Sequence, residues 1–276
     1  MQKPVATALG VAAVLAALGT GIWAWLAQQP PAEVRTLEAI VRRLAQGNDL
    51  GAQPLSFMVA SGTTAAQLAQ QRGLCKPDDC EFFAHLNPYQ RYANGWDELM
   101  RQSYALGDIE GWSASSGTVV IPRAAFRAYG PRLGYLACTV AHEMAHVRRY
   151  HVFEQSYHLN HNLRGLTEEL KQRASLKRSR EMELQADADA ATMLARAGYP
   201  SRVCEQGLAL MARSTGDGSR TQPDSTHPGY EERLAALQAH YNSLDKQPPK
   251  PQLNTSGSFH YDRADNLLMF TPVQGR

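Results

Sequence analysis

The sequence predicts a mainly helical α+β fold in which a small β-sheet lies beside a group of helices. Apolar residues recur at helical spacing through three long segments, residues 131–152, 164–197 and 201–213. Two shorter segments, PLSFMVASG (54–62) and SSGTVVIPR (115–123), combine apolar and β-branched residues with flanking Gly or Pro. Such segments are typical of short strands. We therefore expect helices to form most of the core and the strands to form a small sheet.

Shorter signals place the remaining elements along the chain. PPAEVRTLEAIVRRLAQGN begins with Pro, has amphipathic spacing and ends at Gly47, as a short helix does. TTAAQLAQQRG, GWDELMRQSYALG and YEERLAALQAHYNSL also predict helices, and a loop rich in Gly, Ser, Asp and Pro covers residues 214–229. GSFHYDRADNLLMFTPV predicts two strands around a polar turn. We therefore interpret residues 246–276 as a Pro-rich linker followed by a β-hairpin tail.

Composition and charge exclude some classes of function. The chain has 276 residues, of which 43% are hydrophobic and 20% charged, as in ordinary globular proteins. Its formal net charge of +2 gives no reason to expect a nucleic-acid partner. The basic segment RGLTEELKQRASLKRSR (164–180) is interpreted as a solvated helix face, with a membrane-surface or partner contact as the alternative.

The N-terminal segment is uncharged from Val5 to Ala27 and is long enough to cross a hydrocarbon core of about 30 Å as a helix. Trp23 and Trp25 lie where an interfacial aromatic belt would be. We therefore expect residues 1–32 to be an uncleaved signal anchor, a transmembrane helix that fixes the chain to a membrane. The alternative is a signal peptide cleaved after the small residues ALG, which would release the rest of the chain.

The four cysteines permit disulfides without settling their pairing. CKPDDC places Cys75 and Cys80 around a turn that a disulfide could close, which would suit an oxidising compartment. Cys138 and Cys204 could form a second bridge only if their helices pack together. Reduced thiols remain an alternative, because sequence alone does not determine connectivity.

The segment TVAHEMAHVRRYH (139–151) carries the strongest signal for chemistry. It contains His142, Glu143 and His146 in the spacing H-E-x-x-H. Residues at i and i+4 of a helix lie on one face, so both histidines can bind the same ion. The apolar residues of this helix form a stripe on the opposite side, which leaves the imidazoles free to face a site.

A second helix is expected to complete this site. Small residues form a seam on the histidine helix that would allow close packing: Gly134, Cys138, Ala141 and Ala145. We infer that EMELQADADAATMLARAG packs there and brings Glu183 beside the two histidines. Catalytic zinc commonly takes three protein ligands and keeps a position for water. Glu143 would then be the general base that activates the water, and Asp187 would accept the free ring N–H of a ligating histidine.

Three motifs together resemble those of a known family. HEMAHVRRYH, ELQADADAA followed by AGYP, and STHPGYEERLAAL are similar to motifs of the membrane-associated gluzincins. These zinc metallopeptidases include the HtpX heat-shock protease, the CAAX prenyl endopeptidase and the BepA-type periplasmic proteases. The resemblance covers roughly residues 95–240 and implies a zincin-like helical domain, assigned to residues 33–245. It also implies one Zn²⁺ per chain, and a substrate-binding edge strand at SASSGTVVIPR.

The resemblance also bears on two histidines outside the central motif. It places His227 near the metal, where it would stabilise the oxyanion of the tetrahedral intermediate or cap the zinc; a structural loop residue is the alternative. Arg233 is expected to hold this loop by an ion pair. His151 follows His146 by five residues without the glycine of the metzincin motif, so we interpret it as structural. Ser113 lacks the G-x-S-x-G context of a serine nucleophile.

These observations predict a zinc metalloendopeptidase that hydrolyses unfolded or misassembled envelope proteins. Its partners would be a polypeptide substrate and a membrane, and no nucleic acid. We expect a single-pass protein of the bacterial inner membrane with its catalytic domain in the periplasm. The alternative function is a largely latent metal-binding envelope chaperone or assembly factor. A third alternative is a metal-stabilised scaffold, in which chelation would unfold the domain without affecting any activity.

Overall fold

The computed structural model describes three stretches of the chain, residues 29–215, 219–252 and 256–273. Internal contacts divide the chain into the units Met1–Ala32 and Glu33–Arg276. The elements below belong to the second unit, and the first helix begins at its border. The predicted membrane segment Val5–Ala27 lies outside the described residues. Among the residues that are described, no helix is both long enough and apolar enough to cross a membrane.

Helices form most of the described chain. Ten α-helices are present in these stretches: α1 (Ala32–Gly47), α2 (Thr63–Gln71), α3 (Glu81–Ala84), α4 (Trp96–Leu106), α5 (Arg123–Tyr129), α6 (Leu133–Arg148), α7 (His151–Tyr157), α8 (Glu168–Arg196), α9 (Val203–Thr215) and α10 (Tyr230–Lys246). A 3₁₀ turn at Pro77–Asp79 and a π-helical turn at His158–Asn162 complete them. The predicted helix over 131–152 is two helices, because Tyr150 has a left-handed φ of 56° that interrupts the hydrogen-bond ladder.

Five strands form a mixed sheet in the order β2-β3-β1-β5-β4. Their bounds are β1 (Leu55–Ala60), β2 (Trp112–Ser113), β3 (Thr118–Pro122), β4 (Gly257–Asp262) and β5 (Leu267–Pro272). β1 and β3 are parallel, and the other neighbours are antiparallel. Phe57 of β1 lies opposite Val119 of β3 and Leu268 of β5, and all three side chains are buried in the main core.

Two features of the sheet differ from what the sequence predicts. The segment expected to be an edge strand is mostly β3, which is paired on both sides; the edge is the shorter β2 at Trp112 and Ser113. The predicted C-terminal hairpin forms, but it joins the main sheet through β5. Asn266 in its turn donates a hydrogen bond to the backbone oxygen of Val59 at 2.7 Å, which fastens the hairpin to β1.

Helix α6 packs between α8 and α9, so it has two close helical neighbours. The predicted packing of α6 against α8 is therefore confirmed. The N-terminal end of the small-residue seam, however, faces α9, since an added Cβ at Gly134 would lie only 2.6 Å from Val203 Cγ2. Cys138 of α6 and Cys204 of α9 form a disulfide there. A second disulfide joins Cys75 and Cys80 around the 3₁₀ turn.

Candidate active site

The packing of α6 against α8 brings His142, His146 and Glu183 together. His142 Nε2 lies 3.2 Å from His146 Nε2 and 3.2 Å from Glu183 Oε2, and His146 Nε2 lies 3.5 Å from Glu183 Oε1. Donor atoms of the three residues are all within 4.8 Å of one another. Tetrahedral zinc with bonds of about 2.0–2.2 Å would separate its nitrogen and oxygen ligands by about 3.3 Å. The spacing of the three side chains fits such an ion.

Glu183 provides an independent test of this fit. Its side chain is buried, and its Oε2 makes no hydrogen bond to any described residue. The 3.2 Å contact with His142 Nε2 does not have hydrogen-bond geometry. A buried carboxylate oxygen normally has a partner, because leaving it without one costs about 1–3 kcal/mol or more. A cation bound between Glu183 and the two histidines would supply that partner.

The outer ring nitrogen of His142 is held by a buried ion pair. His142 Nδ1 lies 2.9 Å from Asp187 Oδ1, as the sequence predicts. Arg233 of α10 donates from Nε and Nη2 to the two oxygens of Asp187, both at 2.8 Å. Arg233 thus makes an ion pair, as expected from the sequence, but its partner is Asp187 of α8 rather than a residue of the His227 loop. It fixes Asp187, which in turn orients the ring of His142.

The charges of this network favour a positive group at the centre. Burial alone would lower the pKa of His142, but its hydrogen bond to Asp187 and the nearby Glu183 carboxylate raise that pKa to about 10. Burial opposes ionisation of Glu183, yet the adjacent histidines lower its pKa to about 2. Burial also opposes ionisation of Asp187, but Arg233 holds the pKa of its carboxyl well below the usual range. Two buried carboxylates are thus kept ionised next to the histidines.

Glu143 is positioned from the opposite side by the edge strand. It is buried, and burial raises the pKa of its carboxyl. The Ser113 hydroxyl of β2 lies 2.8 Å from Glu143 Oε2 and 2.9 Å from the Glu143 backbone oxygen. Gly111 just before β2 allows this approach, since an added Cβ would lie 3.0 Å from Glu143 Cγ. A buried carboxylate with a raised pKa is suited to act as a general base.

His151 contacts the candidate ligand His146, and Gln185 contacts His151; neither contact was predictable from the sequence. His151 is buried, and its Nδ1 lies 3.1 Å from His146 Nδ1. Its Nε2 lies 3.1 Å from Gln185 Oε1 on α8. The contact of Ser113 with Glu143 likewise has no sequence signal, since Ser113 stands outside any known motif. The left-handed Tyr150 that turns the chain before His151 has no sequence signature, so these contacts could not be predicted.

His227 lies at the exposed rim of the site. Its Nε2 is 3.5 Å from Glu183 Oε1, and 61% of its side-chain surface is exposed. Its Nδ1 lies 2.9 Å from the Thr226 hydroxyl. Arg180 of α8 donates a hydrogen bond to the Ser225 backbone oxygen at 2.8 Å, which fixes the loop that carries His227 to α8. The structure therefore brings His227 beside the three candidate ligands, on the side open to solvent.

A cavity of about 260 Å³ opens beside these residues. His142, Glu143 and Glu183 contribute to one part of its wall, and Trp112 of the edge strand contributes to the same cavity. Another part of the wall is apolar and comes from α6, α9 and α10: Tyr135, Cys138, Cys204, Leu208, Met211 and Leu237. The cavity can therefore accept an apolar group next to the candidate metal site.

Comparison with known proteins identifies the part of the chain that carries this site. Residues 109–241 match the model of peptidase family M48, and this range includes the strand β2, the histidine helix, Glu183 and Arg233. No match was found among curated proteins or among solved structures. M48 peptidases are zinc metallopeptidases of the gluzincin group. Residues 109–241, which contain the whole candidate site, therefore form a domain of the M48 gluzincin metallopeptidase family.

Proposed function

We propose that the protein is a zinc-dependent endopeptidase whose metal ligands are His142, His146 and Glu183 and whose general base is Glu143. The observation that carries the proposal is the convergence of His142, His146 and the buried Glu183, whose Oε2 makes no hydrogen bond to a described residue, within an M48 domain. Two histidines and one glutamate leave a fourth position open, which is the arrangement of catalytic rather than structural zinc.

The chemistry divides between the ion and the side chains around it. When bound, zinc supplies Lewis-acid polarisation of the scissile carbonyl and of the attacking water. Glu143 takes a proton from that water and passes it to the leaving amine. The Ser113 hydroxyl, 2.8 Å from Glu143 Oε2, keeps the carboxylate oriented toward the site. His227 faces the site from the solvent side, where its ring can donate to the oxyanion of the tetrahedral intermediate.

The substrate is an extended polypeptide that lies along β2. This strand is the edge of the sheet next to Glu143, so a peptide can add to it by strand pairing. The apolar cavity then receives a substrate side chain close to the scissile bond. Unfolded or misassembled proteins offer extended segments with exposed apolar side chains. We infer that such proteins of the bacterial envelope are the substrates.

The proposed location is the bacterial inner membrane, with the catalytic domain in the periplasm. The uncharged segment Val5–Ala27 supports a single membrane anchor. The disulfides Cys75–Cys80 and Cys138–Cys204 suit an oxidising compartment. Cleavage of the signal segment would instead give a periplasmic protein without an anchor. Mass determination of the mature N-terminus distinguishes the two.

The test compares the full-length chain with Glu143→Gln in the cleavage of a reduced, unfolded model protein. We expect the wild-type protein to cleave, and the variant to bind one zinc but to lose activity by about 10²-fold or more, because the base is gone. Zinc content is measured on both proteins. Full activity of Glu143→Gln would contradict the mechanism.

A second candidate function is that of a latent metal-binding chaperone or assembly factor. It is favoured by the exposed apolar side chains of α7 and of the first turn of α8, among them Phe153, Tyr157 and Leu170, which are 68%, 49% and 49% exposed. Such a surface can hold unfolded chains. The same assay separates the two functions, because a latent protein would bind one zinc and suppress aggregation of the model protein without cleaving it.

A further inference from the structure

We propose that His151 and Gln185 are positioning residues that fix the ring tautomer of His146, so that its Nε2 is free to bind the metal. This proposal rests on the zinc site proposed above and adds two residues to it. Neither residue belongs to the H-E-x-x-H motif. Their contacts with His146 are direct for His151 and indirect for Gln185.

The two nitrogens of His146 have different surroundings. Nε2 faces the centre of the site, 3.2 Å from His142 Nε2 and 3.5 Å from Glu183 Oε1. Nδ1 faces away from the centre and lies 3.1 Å from His151 Nδ1. A neutral imidazole carries one proton, so a hydrogen bond at Nδ1 decides whether Nε2 has a lone pair for a metal.

Gln185 sets the direction of this hydrogen-bond chain. Its Oε1, which can only accept, lies 3.1 Å from His151 Nε2. His151 therefore carries its proton on Nε2 and has a lone pair on Nδ1. His146 must then donate its own proton from Nδ1 to His151, which leaves Nε2 unprotonated. The chain thus runs from His146 through His151 to Gln185, and it ends at an amide oxygen.

The two histidine ligands are held by partners of different charge. His142 Nδ1 meets the Asp187 carboxylate at 2.9 Å, whereas His146 Nδ1 meets a second imidazole at 3.1 Å. Glu143, Glu183 and Asp187 already place three buried carboxylates around the site. A neutral partner for His146 fixes its ring without adding a fourth negative charge, whose burial would need further compensation.

The backbone at Tyr150 makes this contact with His146 possible. In an uninterrupted helix, residue i+5 points about 140° away from residue i. His151 would then point away from His146. Tyr150 adopts a left-handed φ of 56°, which ends α6 and starts α7, and His151 turns back into a buried position. A non-glycine residue in this conformation is uncommon, and here it delivers a buried imidazole to a candidate metal ligand.

The experiment measures zinc affinity by chelator competition and the His146 tautomer by ¹⁵N NMR of the metal-free full-length chain. We expect His151→Leu to weaken zinc binding by roughly 10–100-fold and to shift His146 toward the Nε2–H tautomer. His151→Gln, which keeps an acceptor, should recover most of the affinity. His240→Leu is the matched control. His240 lies on α10 and forms a hydrogen bond with the Thr192 hydroxyl of α8 at 2.8 Å, but it has no contact with His146.

Gln185 gives a second test that does not depend on a core substitution, since its side chain is largely exposed. Gln185→Glu keeps an acceptor and should bind zinc as the wild type does. Gln185→Lys presents only donors, so it should reverse the chain, protonate His146 at Nε2 and weaken zinc binding. Equal affinities of these two variants, or an unchanged His146 tautomer in His151→Leu, would overturn the proposal. Failure of the wild-type chain to bind zinc would instead overturn the proposed function.

Discussion

At the scale of single residues, the candidate metal site depends on one buried carboxylate with two tasks. Asp187 accepts from His142 Nδ1 and also receives both hydrogen bonds from Arg233. A carboxylate and a guanidinium buried together are stable only as a pair, because either one alone would be an uncompensated charge. Orientation of a candidate metal ligand is thereby coupled to the stability of α8 and α10.

This coupling predicts that Asp187→Asn is strongly destabilising even without metal. The substitution leaves Arg233 buried without its counter-charge, and we expect the free energy of unfolding to fall by about 3–5 kcal/mol. Urea unfolding of the metal-free chain measures it. Asp189→Asn is the matched control on the same helix, since Asp189 pairs with the more exposed Arg149 and should cost about 1 kcal/mol or less. Similar costs for the two variants would contradict the coupling.

Spacing within one helix is what made part of this site predictable. His142 and His146 are one turn apart, and Asp187 is one turn beyond Glu183, so each pair must lie on one face. Arg233 lies 46 residues beyond Asp187, and nothing local relates the two. The contact of Ser113 with Glu143 was not predictable for the same reason, because it depends on how distant segments pack. The contact of His151 with His146 was not predictable because the left-handed backbone at Tyr150 has no sequence signature.

At the scale of elements, α6 is held on two sides. Helix α8 supplies Glu183 and Asp187, and α9 is joined to α6 by the Cys138–Cys204 disulfide. The small residues of α6 were expected to meet α8, yet Gly134 faces Val203 of α9. Small side chains predict a close approach but do not say which helix approaches. The same disulfide lines the apolar cavity, so it belongs to the wall of the site as well as to the scaffold.

The two disulfides should differ in their effect on stability. Cys138 and Cys204 are 66 residues apart in sequence, whereas Cys75 and Cys80 are separated by 5. In the chain-entropy account, closing the longer loop restricts the unfolded chain more, by about 2 kcal/mol. We therefore expect the Cys138→Ala/Cys204→Ala double variant to lose more stability in urea than Cys75→Ala/Cys80→Ala. An equal or reversed order would show that α6 and α9 stay packed without the bridge.

At the scale of the whole molecule, the sheet joins segments from both ends of the second unit. β1 comes from its beginning and β5 from its end, and they pair side by side. The alternation of the tail predicted a hairpin, but its docking onto β1 has no local signal. Likewise β3 has the composition of a strand, while its place inside the sheet depends on the short β2 that covers it. Element type was thus predictable, and element order was not.

Docking of the hairpin predicts that the C-terminal segment is part of the fold. Phe270 of β5 is buried and lies 4.8 Å, centre to centre, from the Phe259 ring. Phe270→Ala should lower the free energy of unfolding by about 3–5 kcal/mol, since it leaves a cavity in the core. Val273→Ala, at a side chain that is 61% exposed, should have little effect and serves as the control. Equal stability of both variants would mean that the hairpin is a separate tail.

The most direct test of the central claim is a zinc titration of the metal-depleted full-length chain, followed by cleavage of an unfolded model protein. The proposed site holds one ion between His142, His146 and Glu183, so cleavage should rise with added zinc and saturate at one zinc per chain. The Glu183→Ala variant should need a much higher zinc concentration to reach the same cleavage rate, because it lacks one of the three proposed ligands. Cleavage by the metal-depleted chain, or no cleavage with one zinc bound, would contradict a zinc endopeptidase.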